Sequence, residues 1–167
     1  MHRVGLISDT HGLLRPEARS FLAGSDHIIH AGDICDPAIL DELAAIAPLT
    51  AVRGNNDSEP WALQLPEVAQ FRVDDVLIQV VHDLAGFAFS ADLARARVVV
   101  SGHSHKPAVL ERDGVLHVNP GSAGPRRFRL PVSAGEILIE GSSVHARTVS
   151  LLPPAEASLS GTRRQRR

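Results

Sequence analysis

Short apolar runs rich in β-branched residues recur at residues 3–8, 27–31, 50–53, 76–81 and 98–101, each with the length and composition of a buried strand. Between the first two, Pro16 suits a helix start, Ala18, Phe21 and Leu22 recur at helical spacing, and Gly24 is a stop signal. Between the second and third, Asp36 can cap a helix and Pro37 fits its first position; Ile39, Leu40, Leu43 and Ala44 then form one apolar stripe that Pro48 ends. This alternation of strand and helix predicts an α/β fold with a parallel sheet and crossover helices. The second half is richer in strands. Ser90 is expected to cap a short helix to about Arg95, and Asp113-Gly114 reads as a hairpin turn between strands at 108–112 and 115–118. Two further strands are expected near 136–139 and 144–151.

The polar residues are not scattered. Six apolar runs each end, on the C-terminal side, in a polar cluster: Asp9-Thr10-His11, Gly32-Asp33, Gly54-Asn55-Asn56-Asp57, His82-Asp83, Gly102-His103-Ser104-His105 and Asn119-Pro120-Gly121-Ser122. Open α/β sheets bind ligands beyond the carboxyl ends of their strands, so clusters distant in sequence are expected to converge. Carboxylates gathered in this way repel one another and are costly to desolvate unless cations hold them. Strand alternation would place Asp9 and His11 on one side of the chain, and His103 and His105 likewise. Donors of the Asp, His and Asn type, without thiolate, suit Mn, Fe, Zn or Ni, whereas calcium would want more oxygens. Asp9, His11, Asp33, Asn55, His82, His103 and His105 are too many for one ion; two ions about 3.5 to 4 Å apart, bridged by one carboxylate, would absorb them all.

Composition narrows the rest. The 167 residues are 44% hydrophobic and 22% charged, enough apolar surface for a core and the length of one domain, expected to span residues 1–152. Residues 153–167 shift to Pro, Ala, Ser and Arg and read as a flexible Arg-rich tail. With four of the last five residues arginine, residues 1–162 hold 13 basic against 19 acidic groups, so the folded part is acidic and stable nucleic-acid binding is not expected. No apolar stretch is long enough for a membrane span, and the N-terminal apolar run is too short for a secretory signal. The single cysteine, Cys35, excludes an internal disulfide and reads as a small buried residue, and a cytoplasmic location is expected. His30, inside an apolar run, is expected to be a core histidine donating to backbone; His2, His27, His117 and His145 take similarly plain roles.

The ordered set Asp-x-His, Gly-Asp, Gly-Asn-x-Asp, His and Gly-His-x-His resembles the calcineurin-like metallophosphoesterases, and the Asn119-Pro120-Gly121-Ser122 segment is similar to their small bacterial and archaeal phosphodiesterase branch. The resemblance implies two mixed β-sheets packed as a sandwich flanked by helices, with a dinuclear centre at a sheet edge. It makes Asp9, His11, Asp33 and His105 ligands of one metal and Asp33, Asn55, His82 and His103 ligands of the other, with Asp33 the bridge. The implied activity is hydrolysis of a small or nucleotide-like phosphodiester by a hydroxide between two divalent ions, with manganese the expected metal and Fe, Zn or Ni alternatives. Two positions depart from the pattern. Asn56 stands where many members have a histidine able to protonate the leaving oxygen, so no general acid is identified and a phosphodiesterase is expected over an alkyl phosphomonoesterase. Asp83 stands in place of a glycine and is either an outer partner of an imidazole or a loop residue. Asn56 and Arg126 are the candidate substrate-binding residues; Ser122 either orients substrate or closes a turn. The alternative function is a protein-binding scaffold of the same fold with weak or no activity, since the retromer scaffold subunit is similar in size and fold. A hydrophobic edge or helix face could pair two copies, but no residue compels it.

Overall fold

The computed structural model describes residues 1–85 and 95–153. One five-stranded sheet has the order β10-β9-β1-β2-β3 and is built from β1 (His2–Ile7), β2 (His27–His30), β3 (Leu49–Ala51), β9 (Ser133–Glu140) and β10 (Ser143–Ser150). The other has the order β4-β5-β6-β8-β7, from β4 (Val68–Val73), β5 (Val76–Val81), β6 (Val98–Val100), β7 (Ala108–Arg112) and β8 (Val115–Asn119). Three strands of each sheet are parallel, β1 to β2 to β3 and β5 to β6 to β8, and antiparallel hairpin strands complete both. Helices α1 (Pro16–Leu22) and α2 (Pro37–Ala44) are the crossovers of the first sheet.

The unbroken apolar character of the central strands follows from burial on both faces. In β1, Val4 and Leu6 face the second sheet with Ile29, Ile78, Val80, Val98, Val100 and Val118, while Ile7 packs with Leu22, Ile28, Ile39 and Leu43 beneath the helices. Each such side chain contributes roughly 1.5 to 3 kcal/mol by leaving water. Asp36 caps α2 as expected, its Oδ1 accepting the Ala38 N–H at 2.9 Å with Pro37 at the first turn.

Two differences from the sequence reading have physical causes. β4 carries no strand signal in the sequence: it is an edge strand, half exposed along its length, and it turns into β5 through Asp74-Asp75 without a glycine, Asp74 itself adopting φ 51°. It therefore shows neither the buried run nor the turn signal that marks the other strands. β9 starts three residues earlier than expected because Ser133, Ala134 and Gly135 are buried without forming a large apolar run. The expected helix beginning at Ser90, except Arg95, and the tail after Pro153 fall outside the described residues.

Candidate metal centre

All six parallel strands carry their polar clusters to one rim. Backbone hydrogen bonds stitch the clusters together: Asp9 N–H donates to the Gly32 carbonyl at 3.0 Å, His11 N–H to the Asp33 carbonyl at 3.0 Å, and Gly102 N–H to the His82 carbonyl at 3.0 Å. The geometry by which Asp9 pairs with His11, and His103 with His105, is not the extended alternation expected. Asp9, His11, Asp33, His103 and His105 have φ of 53°, 45°, 56°, 66° and 58°, the left-handed region. Each such non-glycine residue costs of order 1 to 3 kcal/mol and persists where surrounding contacts over-determine it, a situation concentrated at functional sites. Tight approach also explains a glycine: a Cβ on Gly54 would overlap the backbone nitrogen and Oδ1 of Asp33.

The candidate ligands fall into two groups that share Asp33. Donor atoms of Asp9, His11, Asp33 and His105 all lie within 4.8 Å of one another. His11 Nε2 is 3.3 Å from His105 Nε2, 3.7 Å from Asp33 Oδ2 and 4.0 Å from Asp9 Oδ1. On the other side of Asp33, Asn55 Oδ1 lies 2.9 Å from both His82 Nε2 and His103 Nδ1, and His82 Nε2 is 3.4 Å from Asp33 Oδ1. The His82 ring is oriented by its other nitrogen, Nδ1, 2.7 Å from the Ala31 carbonyl, which leaves Nε2 turned to the rim.

Asp9 provides the clearest sign that a cation belongs here. Its carboxylate is fully buried; Oδ2 accepts from Ser8 Oγ at 2.6 Å and from His103 N–H at 3.1 Å, while Oδ1 has no hydrogen-bond partner among the described residues, His105 Nε2 approaching at 3.1 Å without the alignment of a bond. A buried unpartnered carboxylate oxygen is costly. Burial pushes the Asp9 carboxyl up to about 6, against the lowering effect of Ser8. Burial also pushes His11 down, and His105 down to about 4 with help from the neighbouring His11. Those imidazoles are thus neutral at physiological pH, the form that ligates a metal. Asp33 behaves oppositely: burial raises it, but His82 and the two Asn56 donors outweigh that and hold it well below the usual carboxylate range. An anionic carboxylate at Asp33, the neutral His11 and His105 imidazoles and the orphaned buried oxygen of Asp9 are a donor set that fits divalent ions, and the seven named residues could hold them.

A second layer fixes these side chains. Asn56 donates its N–H to Asp33 Oδ1 at 2.8 Å and its Nδ2 to Asp33 Oδ2 at 2.7 Å, so it touches the shared carboxylate directly. Asp57 is a turn organiser, accepting from Ile34, Cys35 and Gly54 N–H groups at 2.8 Å each. Ser122 Oγ donates to the Asp9 carbonyl at 2.9 Å, holding that residue's backbone, and Asn119 Nδ2 donates to the Gly102 carbonyl at 2.8 Å. His30 is wholly buried, as expected, but it accepts from backbone instead of donating: Nδ1 receives the Gly32 N–H at 3.2 Å, which leaves Nε2–H to donate to Thr10 Oγ1 at 3.0 Å. Thr10 passes the chain on to the Ile34 carbonyl at 3.2 Å. Asp83 stands 3.9 Å from His103 Nε2, beyond hydrogen-bond length. Cys35, expected to be buried, is exposed on left-handed backbone (φ 62°), with its Sγ 3.8 Å from His11 Nδ1. Partial desolvation of the sulfur and the nearby Asp57 push that thiol up to about 11. Arg126, the other candidate substrate residue, donates Nη2 to the Pro153 carbonyl at 2.9 Å.

A two-sheet α/β sandwich with carboxylates, imidazoles and a carboxamide crowded at its parallel strand ends defines a metal-binding class of fold. The profile of the calcineurin-like phosphoesterase superfamily domain matches residues 2–140, and the chain belongs to that family. It is 32% identical over 169 residues to a probable metallophosphoesterase of Methanothermobacter thermautotrophicus, an alignment covering 93% of this chain and 96% of the relative. It is 27% identical over 139 residues to a phosphodiesterase of Methanocaldococcus jannaschii, covering 71% of this chain and 82% of that one. Among solved structures, Vps29 of Entamoeba histolytica in complex with zinc superposes with a TM-score of 0.69 at 21% identity, covering 90% of this chain and 99% of that one, a likeness of fold. Among the described residues no helix is long and apolar enough to cross a membrane.

Proposed function

We propose that this protein is a metal-dependent phosphodiesterase acting on a small or nucleotide-like phosphodiester. The observation that carries the reading is the pair of donor groups sharing Asp33, with the Asp9 oxygen buried and unpartnered between imidazoles. When bound, two divalent ions, manganese foremost, supply a Lewis acid and a solvent nucleophile ionised at neutral pH. Asp33, fixed by both Asn56 donors, holds the shared position, and His82, fixed by the Ala31 carbonyl, presents Nε2 without rotamer search. As the new oxygen–phosphorus bond forms, the bond to the leaving oxygen breaks and that oxygen departs with the electron pair. Asn56, committed to Asp33 and without an acidic proton, does not protonate it, so the leaving group must be stable as an anion or take its proton from solvent. An activated diester fits this restriction better than an alkyl monoester.

The test is hydrolysis of bis(p-nitrophenyl) phosphate by protein purified with manganese. Turnover that Asp33→Asn abolishes supports the reading; absence of turnover, or turnover indifferent to that substitution, defeats it.

A further inference from the structure

Beyond the Asn119–Ser122 segment the chain runs through Gly124-Pro125-Arg126-Arg127-Phe128-Arg129-Leu130-Pro131, and its root is part of the rim. Ala123 N–H donates to the Ser8 carbonyl at 3.0 Å, and a Cβ on Gly124 would overlap the Thr10 carbonyl, so this backbone lies directly against the Asp9–His11 loop. Arg15 Nε donates to the Gly124 carbonyl at 3.2 Å from the other side. The segment then turns on itself, Leu130 N–H donating to the Arg127 carbonyl at 3.1 Å.

At the crest of that turn stands Phe128, 92% exposed. The other described phenylalanines, Phe21 and Phe71, pack against the core. Phe128 also adopts φ 52°, a conformation in which a bulky side chain is an outlier. Backbone strain used to hold an aromatic ring in water has no return in folding, and such strain concentrates at ligand clamps. The cations beside it are not equivalent. Arg126 gives one of its N–H groups to the Pro153 carbonyl, whereas Arg127 is exposed at the same turn, directly before Phe128.

We propose that the turn at residues 125–129 is the substrate-recognition platform, Phe128 stacking on a nucleobase or aryl group of the phosphodiester while Arg127 pairs with its phosphate oxygens. A planar ring with an exposed face is a sequence-tolerant partner for any base, and guanidinium matches phosphate geometry. The acidic body of the protein restricts the substrate to mononucleotide size rather than a long nucleic acid. This inference rests on the phosphodiesterase reading and narrows its substrate to esters bearing an aromatic group.

Calorimetric binding of AMP and of methyl phosphate to the full chain in manganese tests it. Wild type is expected to bind AMP at least about tenfold more tightly, the effect of one stacked base. Phe128→Ala should erase that preference and leave methyl phosphate binding in place, Phe128→Trp should keep it, and Arg127→Gln should weaken both probes alike. Equal affinity of wild type for the two probes, a preference that survives Phe128→Ala, or an Arg127→Gln protein that binds both as wild type does would overturn the proposal. The bis(p-nitrophenyl) phosphate assay separates the two ideas: hydrolysis without a base preference removes the platform alone, and base preference without hydrolysis removes the activity alone.

Discussion

Replacing His30 by alanine attacks the centre from beneath without touching any candidate ligand. Its imidazole, fully buried, accepts a hydrogen bond from the Gly32 N–H and donates one to the Thr10 hydroxyl, which in turn donates to the Ile34 carbonyl. It thereby clamps the Asp9–His11 loop to the loop that carries Asp33. In the alanine variant the buried Gly32 N–H is left without its acceptor, a loss of about 1 to 3 kcal/mol. The vacated ring space adds a cavity term, and large-to-alanine core changes cost about 2 to 5 kcal/mol in all. A total near 4 kcal/mol would be a large part of the usual 5 to 15 kcal/mol of folding stability. At about 2 to 4 °C per kcal/mol for a chain of this size, the metal-free variant should melt roughly 8 to 16 °C below wild type by scanning calorimetry. Manganese affinity should fall about tenfold to a hundredfold, as when an outer partner of a metal site is lost. His30→Gln, whose amide can both accept and donate, should recover a substantial share of both. A melting temperature within about 2 °C of wild type, or unchanged manganese affinity in His30→Ala, would refute the assignment of His30 as the clamp.

The same histidine sets an acid dependence: burial holds its folded pKa down to about 3, so the unfolded chain binds the extra proton below pH 6.5 and stability falls as pH drops from there towards 3. Metal-free unfolding free energy should lose up to about 1.4 kcal/mol per pH unit in that window from this group, a slope that His30→Gln flattens in urea titrations. Asn56→His should restore a leaving-group acid and raise kcat on alkyl phosphomonoesters about a hundredfold or more; no gain with the fold and metal content intact would show that Asn56 is not what limits that chemistry. Gly54→Ala should displace Asp33 and lower manganese affinity far more than it lowers melting temperature, and a variant that keeps full affinity would contradict the close packing of that loop.

Much of this arrangement is legible in the chain because the central parallel strands are buried on both sides. Their apolar runs stop abruptly where the backbone reaches the rim, so residues such as Asp9, Asp33 and His82 mark both a strand end and a place in the site. The edge strand β4 is the counterexample, half exposed and turned by Asp74 rather than glycine, with no such contrast to read. Nor does the sequence announce how ligands pair: Asp9, His11, His103 and His105 adopt left-handed backbone, and hydrogen bonds between loops hold Asp9, His11 and His103 in place. The His30–Thr10 link joins positions 20 residues apart and exists only once β1 and β2 are registered, Ile7 beside His30. Arg126 and Arg127 are indistinguishable as letters, and only the turn beyond Gly124 sends one to Pro153 and leaves the other exposed.

The most direct test is anomalous diffraction at the manganese edge from crystals grown with the metal. Two peaks about 3.5 to 4 Å apart on either side of the Asp33 carboxylate, one beside Asp9, His11 and His105 and the other beside Asn55, His82 and His103, are the expected result. A rim free of anomalous signal at saturating manganese, or one ion bound elsewhere, would contradict it.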